Sequence, residues 1–169
     1  MSWDEGALLA RGLEKVGVST ISTHFTWHES AVPTIATMVP RAAFTSVTGR
    51  VRKEVSIPVI TSNRINMPQV AEDVLAAGEA DLVSMARPML ADSQFMNKAA
   101  EDRADEINTC IACNQACLDH TFGGKTTSCL VNPRACHETL LKYEPTQAPK
   151  NIAVVGAGPA GLAYATTAA

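Results

Sequence analysis

The sequence predicts an α/β fold built from parallel βα units, and three observations predict it. Short β-branched runs alternate with helical segments, polar and charged residues gather where those runs end, and the alternation stops at about Ala104, where cysteine, asparagine, glycine and threonine take over. In folds of this class the ends of parallel strands are where ligands bind.

Asp4 to Val16 reads as an amphipathic helix, with Leu8, Leu9, Leu13 and Val16 apolar and Gly17 in the stop position. The β-branched run Val18 to Thr23 follows as a strand and ends in His24-Phe25-Thr26-Trp27-His28-Glu29. Ala42 to Val55 is a mixed stretch with no clear period. Ile57 to Thr61 reads as a second strand, followed by Ser62-Asn63-Arg64-Ile65-Asn66 and a helix over Pro68 to Ala77, where proline suits the first turn and Gly78 the end. Ala80 to Met85 is the third strand, leading into Ala86-Arg87-Pro88 and a further helical segment beginning near Asp92. His28, Arg64 and Arg87 thus all fall at strand ends.

The organisation expected is residues 1–103 as βα units, 104–142 as a small loop-rich segment arranged around a metal, 143–150 as a linker carrying Pro145 and Pro149, and 151–169 as the start of a new domain. The chain has 169 residues, a formal charge of −3, and 46% hydrophobic and 18% charged residues, the balance of an ordinary globular protein. It lacks the positive field that nonspecific binding to nucleic acid needs. Its apolar stretches fall short of the roughly 20 residues that cross a bilayer, and no basic region precedes an apolar run at the N-terminus, so a cytoplasmic location is expected.

Five cysteines, an odd number with four of them between Cys110 and Cys129, argue for metal and against a disulfide framework. Cys110, Cys113, Cys117 and Cys129 form C-x2-C-x3-C-x11-C, three thiols on one loop and a fourth expected on a return strand. Thiolates bind zinc and iron–sulfur clusters alike, but zinc sites usually come as two compact knuckles, so this spacing favours a cluster. Cys136 stands apart beside His137 and is expected to be a core thiol. Further on, Asn151 to Val155 reads as an apolar strand entering Gly156-Ala157-Gly158-Pro159-Ala160-Gly161 and then a helix. This G-x-G-x-x-G, with its flanking context, suits the pyrophosphate of a dinucleotide at the helix N-terminus. The acidic residue expected about 20 positions later has no place before Ala169, and the segment reads as a fragment of a longer domain.

Taken together, T-W-H-E, S-N-R-I-N, V-S-M-A-R-P, C-I-A-C-N-Q-A-C-L-D, S-C-L-V-N-P-R-A-C-H-E and V-V-G-A-G-P-A-G-L-A closely resemble the NADPH-dependent 2,4-dienoyl-CoA reductase family of bacteria, within the old yellow enzyme and trimethylamine dehydrogenase group. The resemblance runs from about Val18 to the last residue. It implies the last three βα units of an FMN-binding (β/α)8 TIM barrel, a loop-rich [4Fe-4S] segment and the first βα unit of a Rossmann-like FAD domain. It further implies electron flow from NADPH to FAD, through the cluster to FMN, and on to an unsaturated acyl-CoA, as in β-oxidation of unsaturated fatty acids. By the same resemblance His28 is the catalytic histidine that assists substrate protonation, a task imidazole suits near neutral pH.

Arg64 and Arg87 match FMN-binding positions, with Asn63 and Ala86 as neighbouring contacts, and guanidinium is the right group for a phosphate. Gln115 and Gly156, Ala157, Gly158, Pro159 and Gly161 match FAD-binding positions, and the four clustered cysteines match the cluster ligands. His24 and Phe25 are larger than the residues the family places before T-W-H-E, which bears on acyl-chain specificity. The barrel's earlier strands and the family's proton-donating tyrosine have no counterpart in these residues, so the isolated chain is expected to be inactive. The competing readings are a related enoate reductase or amine dehydrogenase, and a non-catalytic module stapled by zinc.

Overall fold

A computed structural model describes residues 2–27 and 29–169. The chain divides into two compact units, Met1–Cys136 and His137–Ala169.

The first unit opens with α1 (Trp3–Lys15). Ser2 Oγ accepts from the Glu5 amide at 3.3 Å while the Glu5 carboxylate accepts from the Ser2 amide at 2.7 Å, a reciprocal cap that satisfies two otherwise unpaired donors. Ala7 and Ala10 form its buried face. A parallel sheet follows in the order β1 (Ile21–Ser22), β2 (Val59–Thr61), β3 (Leu82–Val83), with Ile21 opposite Val59 and Ile60 opposite Leu82. All three strands lie inside the expected runs but are shorter than them. Among the described residues β1 and β3 each pair on one side only, so regular pairing is confined to the residues that overlap β2.

The stretch that shows no period in sequence contains a helix, α2 (Thr45–Arg52). Its buried residues are Thr45, Thr48 and Gly49, so it has no apolar stripe to announce it. The Arg50 guanidinium stacks over the Trp3 ring at 3.8 Å, joining α2 to α1. Toward the sheet, Thr48 stands between two strand-end threonines. The Thr23 hydroxyl donates to the Ile60 carbonyl (2.9 Å), so it accepts from Thr48 (2.8 Å), which in turn accepts from Thr61 (2.9 Å). This single direction satisfies every hydroxyl in a region where Thr48 and Thr61 have no exposed surface. Thr48→Val keeps the shape but leaves the buried Thr61 hydroxyl without its acceptor and removes the donor to Thr23, and chemical denaturation should show a loss of about 1–3 kcal/mol, largely restored by Thr48→Ser.

After β2, α3 (Pro68–Ala76) starts on a proline as expected. After β3, the helical segment expected to begin near Asp92 is α5 (Phe95–Ala100), and a further helix, α4 (Arg87–Ala91), precedes it, with Asp92 at the break. The Asp92 carboxylate accepts from the Gln94 amide (2.9 Å), the Lys98 ammonium (2.7 Å) and the Asn108 amide (3.0 Å), which offers the backbone an alternative to continued helix. Val59, Ala91, Phe95 and Ala135 are the most deeply buried apolar residues described in this unit. Residues 104–136 hold a 3-10 turn at Ala104–Glu106 and a short helix, α6 (Leu118–Phe122). The expected return strand at Cys129 is a tight turn, closed by an isolated bridge between Cys129 and Asn132.

In the second unit, α7 (Pro159–Ala168) follows the glycine turn. Residues 151–155, expected as a strand, form no ladder among the described residues, and an apolar run becomes a strand only by pairing. The turn itself is tight. Gly156 has φ +110°, and a Cβ placed on Gly161 would lie 2.0 Å from the Gly156 carbonyl oxygen. No helix among the described residues is long and apolar enough to cross a membrane.

Candidate functional site

All three strands deliver their C-terminal residues to one open pocket of about 820 Å³. Asn63, Arg64, Ala86 and Arg87 all line it, with His24 and Asn66, and its lining contains no aspartate or glutamate. Asn63 (φ +80°) and Arg64 (φ +58°) are consecutive left-handed residues, which turns the chain sharply out of β2. The Asn63 amide secures the turn: Oδ1 accepts from Ser62 Oγ (2.9 Å) and the Phe25 amide (3.4 Å), and Nδ2 donates to the Phe25 carbonyl (3.4 Å). Arg64 Nε donates to the Val39 carbonyl at 2.9 Å. Burial and the neighbouring Arg87 charge push the Arg64 pKa down, while Cys110 opposes them.

A second pocket, of about 330 Å³, adjoins the first and has Cys110, Cys113, Cys117 and Cys129 in its walls. Burial pushes the Cys129 thiol pKa up, opposed by the amides of Val131 and Asn132. Among the described residues no three His, Cys, Asp or Glu side chains gather closely enough to hold one metal ion. The donor chemistry, four soft thiols in the walls of one pocket, fits an iron–sulfur cluster. The loop is held from the strand-end side: Thr37 Oγ1 donates to the carbonyls of Ile111 and Ala112 (both 2.9 Å), and Asn66 Nδ2 to that of Cys110 (2.8 Å). Arg87 and Cys110 line both pockets. Cys136, expected as a core thiol, is exposed, because it ends this unit in a left-handed conformation (φ +63°) where the chain leaves the packed residues.

The structure therefore brings the two arginines together with Asn63 and Ala86, and places the four cysteines beside them. Gln115 is exposed on the cysteine loop, while Gly156, Ala157, Gly158, Pro159 and Gly161 form the exposed turn of the second unit. His28 lies outside the described residues. Sequence reasoning missed Asn66 as a site residue. It is 4% exposed, and its Oδ1 is buried with no hydrogen-bond partner among the described residues, an acceptor left over beside the pocket it lines. Its only signal in sequence is its place in S-N-R-I-N.

Comparison with known proteins adds a decisive match. Residues 10–106 match the NADH:flavin oxidoreductase / NADH oxidase family. The chain belongs to that family. Membership implies an oxidoreductase that uses a flavin, FMN. Among curated relatives, a metal reductase of Desulforamulus reducens is 45% identical over 98% of this chain and 25% of its own length. An NADH oxidase of Thermoanaerobacter brockii is 37% identical over 98% of this chain and 26% of its own. The structure of a 2-naphthoyl-CoA reductase in complex with 2-naphthoyl-CoA superposes with a TM-score of 0.93 at 31% identity, covering 99% of this chain and 26% of that one. The chain thus spans about a quarter of the length of these relatives, and its parallel sheet matches part of a TIM-barrel-type flavin oxidoreductase.

Proposed function

We propose that the chain is part of a flavin and iron–sulfur oxidoreductase that reduces a conjugated 2,4-dienoyl-CoA thioester with NADPH. The observation that carries this reading is the pair of adjoining pockets, one acid-free with two arginines at strand ends, the other walled by four thiols, with Arg87 and Cys110 common to both. The likeness to a reductase of an aromatic CoA thioester supports a conjugated acyl-CoA as the substrate class.

In this reading Arg64 and Arg87 hold the flavin phosphate through charge-assisted hydrogen bonds, Asn63 and Ala86 contact the flavin beside them, and Cys110, Cys113, Cys117 and Cys129 hold a [4Fe-4S] cluster. Gln115 and the turn from Gly156 to Gly161 contact FAD, with the diphosphate at the start of α7. His28 moves a proton to the substrate. When bound, the flavins supply hydride chemistry and the cluster supplies one-electron transfer.

The test is to purify the protein produced from its native gene without oxygen, and to measure iron, acid-labile sulfide, zinc and flavin before assaying it. Iron and sulfide at about four each per chain, with FMN and NADPH-dependent loss of dienoyl absorbance, is the expected result. Zinc without sulfide, or oxidation of amines in place of dienoyl reduction, would overturn the proposal.

A further inference from the structure

One side chain of the cysteine loop reaches across to the strand-end pocket. Asn114 lies between the second and third clustered cysteines, half-buried and left-handed (φ +64°). Its Oδ1 accepts from Arg87 Nη1 at 2.7 Å and its Nδ2 donates to the Ile35 carbonyl at 3.1 Å, while Arg87 Nη1 donates to that same carbonyl at 3.0 Å. Three hydrogen bonds thus close a triangle joining the cysteine loop, the segment after β1 and the first turn of α4. Arg87 is in the walls of both pockets, and one nitrogen of its guanidinium is fixed from the cysteine side.

We propose that Asn114 is a positioning residue that couples occupancy of the two pockets. This rests on the reading above, in which one pocket takes an iron–sulfur cluster and the other a flavin phosphate. A loop ordered by its metal holds Asn114 in place, and Asn114 presets the planar Arg87 fork, so less freedom is lost when an anion binds it. A loop without metal loosens Asn114 and leaves Arg87 to be ordered by the anion itself. Linkage makes the effect reciprocal: an anion on Arg87 favours the metal-loaded loop by the same factor. Asn66 and Thr37 also tie the loop to the strand-end side, and the Thr37 carbonyl accepts from Arg64 Nη2 only at 3.5 Å, so the short Asn114–Arg87 bond is the strongest link from the loop to an arginine of the pocket.

The experiment uses the protein from its native gene, stripped of flavin, with FMN as the probe and its fluorescence quenching as the readout, in iron-loaded and iron-depleted forms. For the unmodified protein FMN should bind about tenfold more tightly to the loaded form. Asn114→Gly suits the left-handed backbone and deletes only the bridging amide, so the ratio should fall to within about twofold at unchanged iron content. An unchanged ratio in Asn114→Gly, equal FMN affinity of both forms of the unmodified protein, or loss of iron from the variant would each overturn the proposal, the last by showing a merely structural residue. Failure of the unmodified protein to bind FMN in either form, or to take up iron and sulfide, would instead sink the reading on which it rests.

Discussion

Cys129→Ser is expected to lower the iron content of the anaerobically purified protein by more than about tenfold, read as iron and acid-labile sulfide per chain. Serine keeps the size of the side chain but offers a hydroxyl that does not ionise near neutral pH, so the soft anionic donor is lost. Cys129 is the proposed ligand most remote in sequence, and the tight turn to Asn132 is what brings it to the pocket that Cys110, Cys113 and Cys117 line. Its loss leaves three donors on one loop with nothing opposite them. Cys136→Ser serves as the control: Cys136 is exposed and outside that pocket, and iron should stay at the unmodified level. Equal iron in both variants would show that the fourth ligand lies elsewhere.

The second large effect concerns stability. Asp92→Ala should cost about 3 kcal/mol, because Asp92 is 5% exposed and its removal leaves the Lys98 ammonium, largely buried, without its carboxylate partner. The same carboxylate joins the α4–α5 break to Asn108, two residues before the first clustered cysteine. Faster hydrogen exchange over residues 87–108 is the direct measurement. Burial opposes ionisation of Asp92, but the hydrogen bonds from Lys98, Asn108 and Gln94 outweigh it and hold the carboxyl below its ordinary value. A carboxylate depressed in the folded state contributes stability that is fully present above the unfolded value of about 3.9 and is lost as pH falls through the lower folded value. The gap between the unmodified protein and Asp92→Asn should therefore hold at neutral pH and shrink in acid below about pH 4. A gap that widens in acid would contradict this assignment.

What could be read from the sequence follows how far apart the cooperating residues lie. α1 and α3 were legible because their signals are local: a cap or proline at the start and a glycine after the end. The three strands were legible as β-branched runs, but the length of each ladder depends on its neighbour. α2 was not legible, since it buries threonine and glycine instead of an apolar stripe and draws its stability from hydroxyls on two strands. The start of a helix near Asp92 was legible, but α4 before it was not, and the bond from Asn108 to Asp92 at the break between them spans 16 positions. The cysteine spacing and the strand-end arginines were visible as chemistry. Asn66 and Asn114 were not, for each acts through a partner 44 or 27 positions away and resembles any loop asparagine until the chain is folded.

The glycine turn before α7 shows how one motif can hide three unlike constraints. At position 156 evolution is restricted by torsion, since a side chain there would meet open space but an unfavourable φ. At position 161 it is restricted by collision with the chain's own carbonyl. Gly158 has neither restriction: its φ of −77° is open to any residue, and a Cβ on it would find nothing within 4 Å among the described residues. Nothing among the described residues requires glycine there, and its bare backbone leaves the first turn of α7 open to close approach by a bound group.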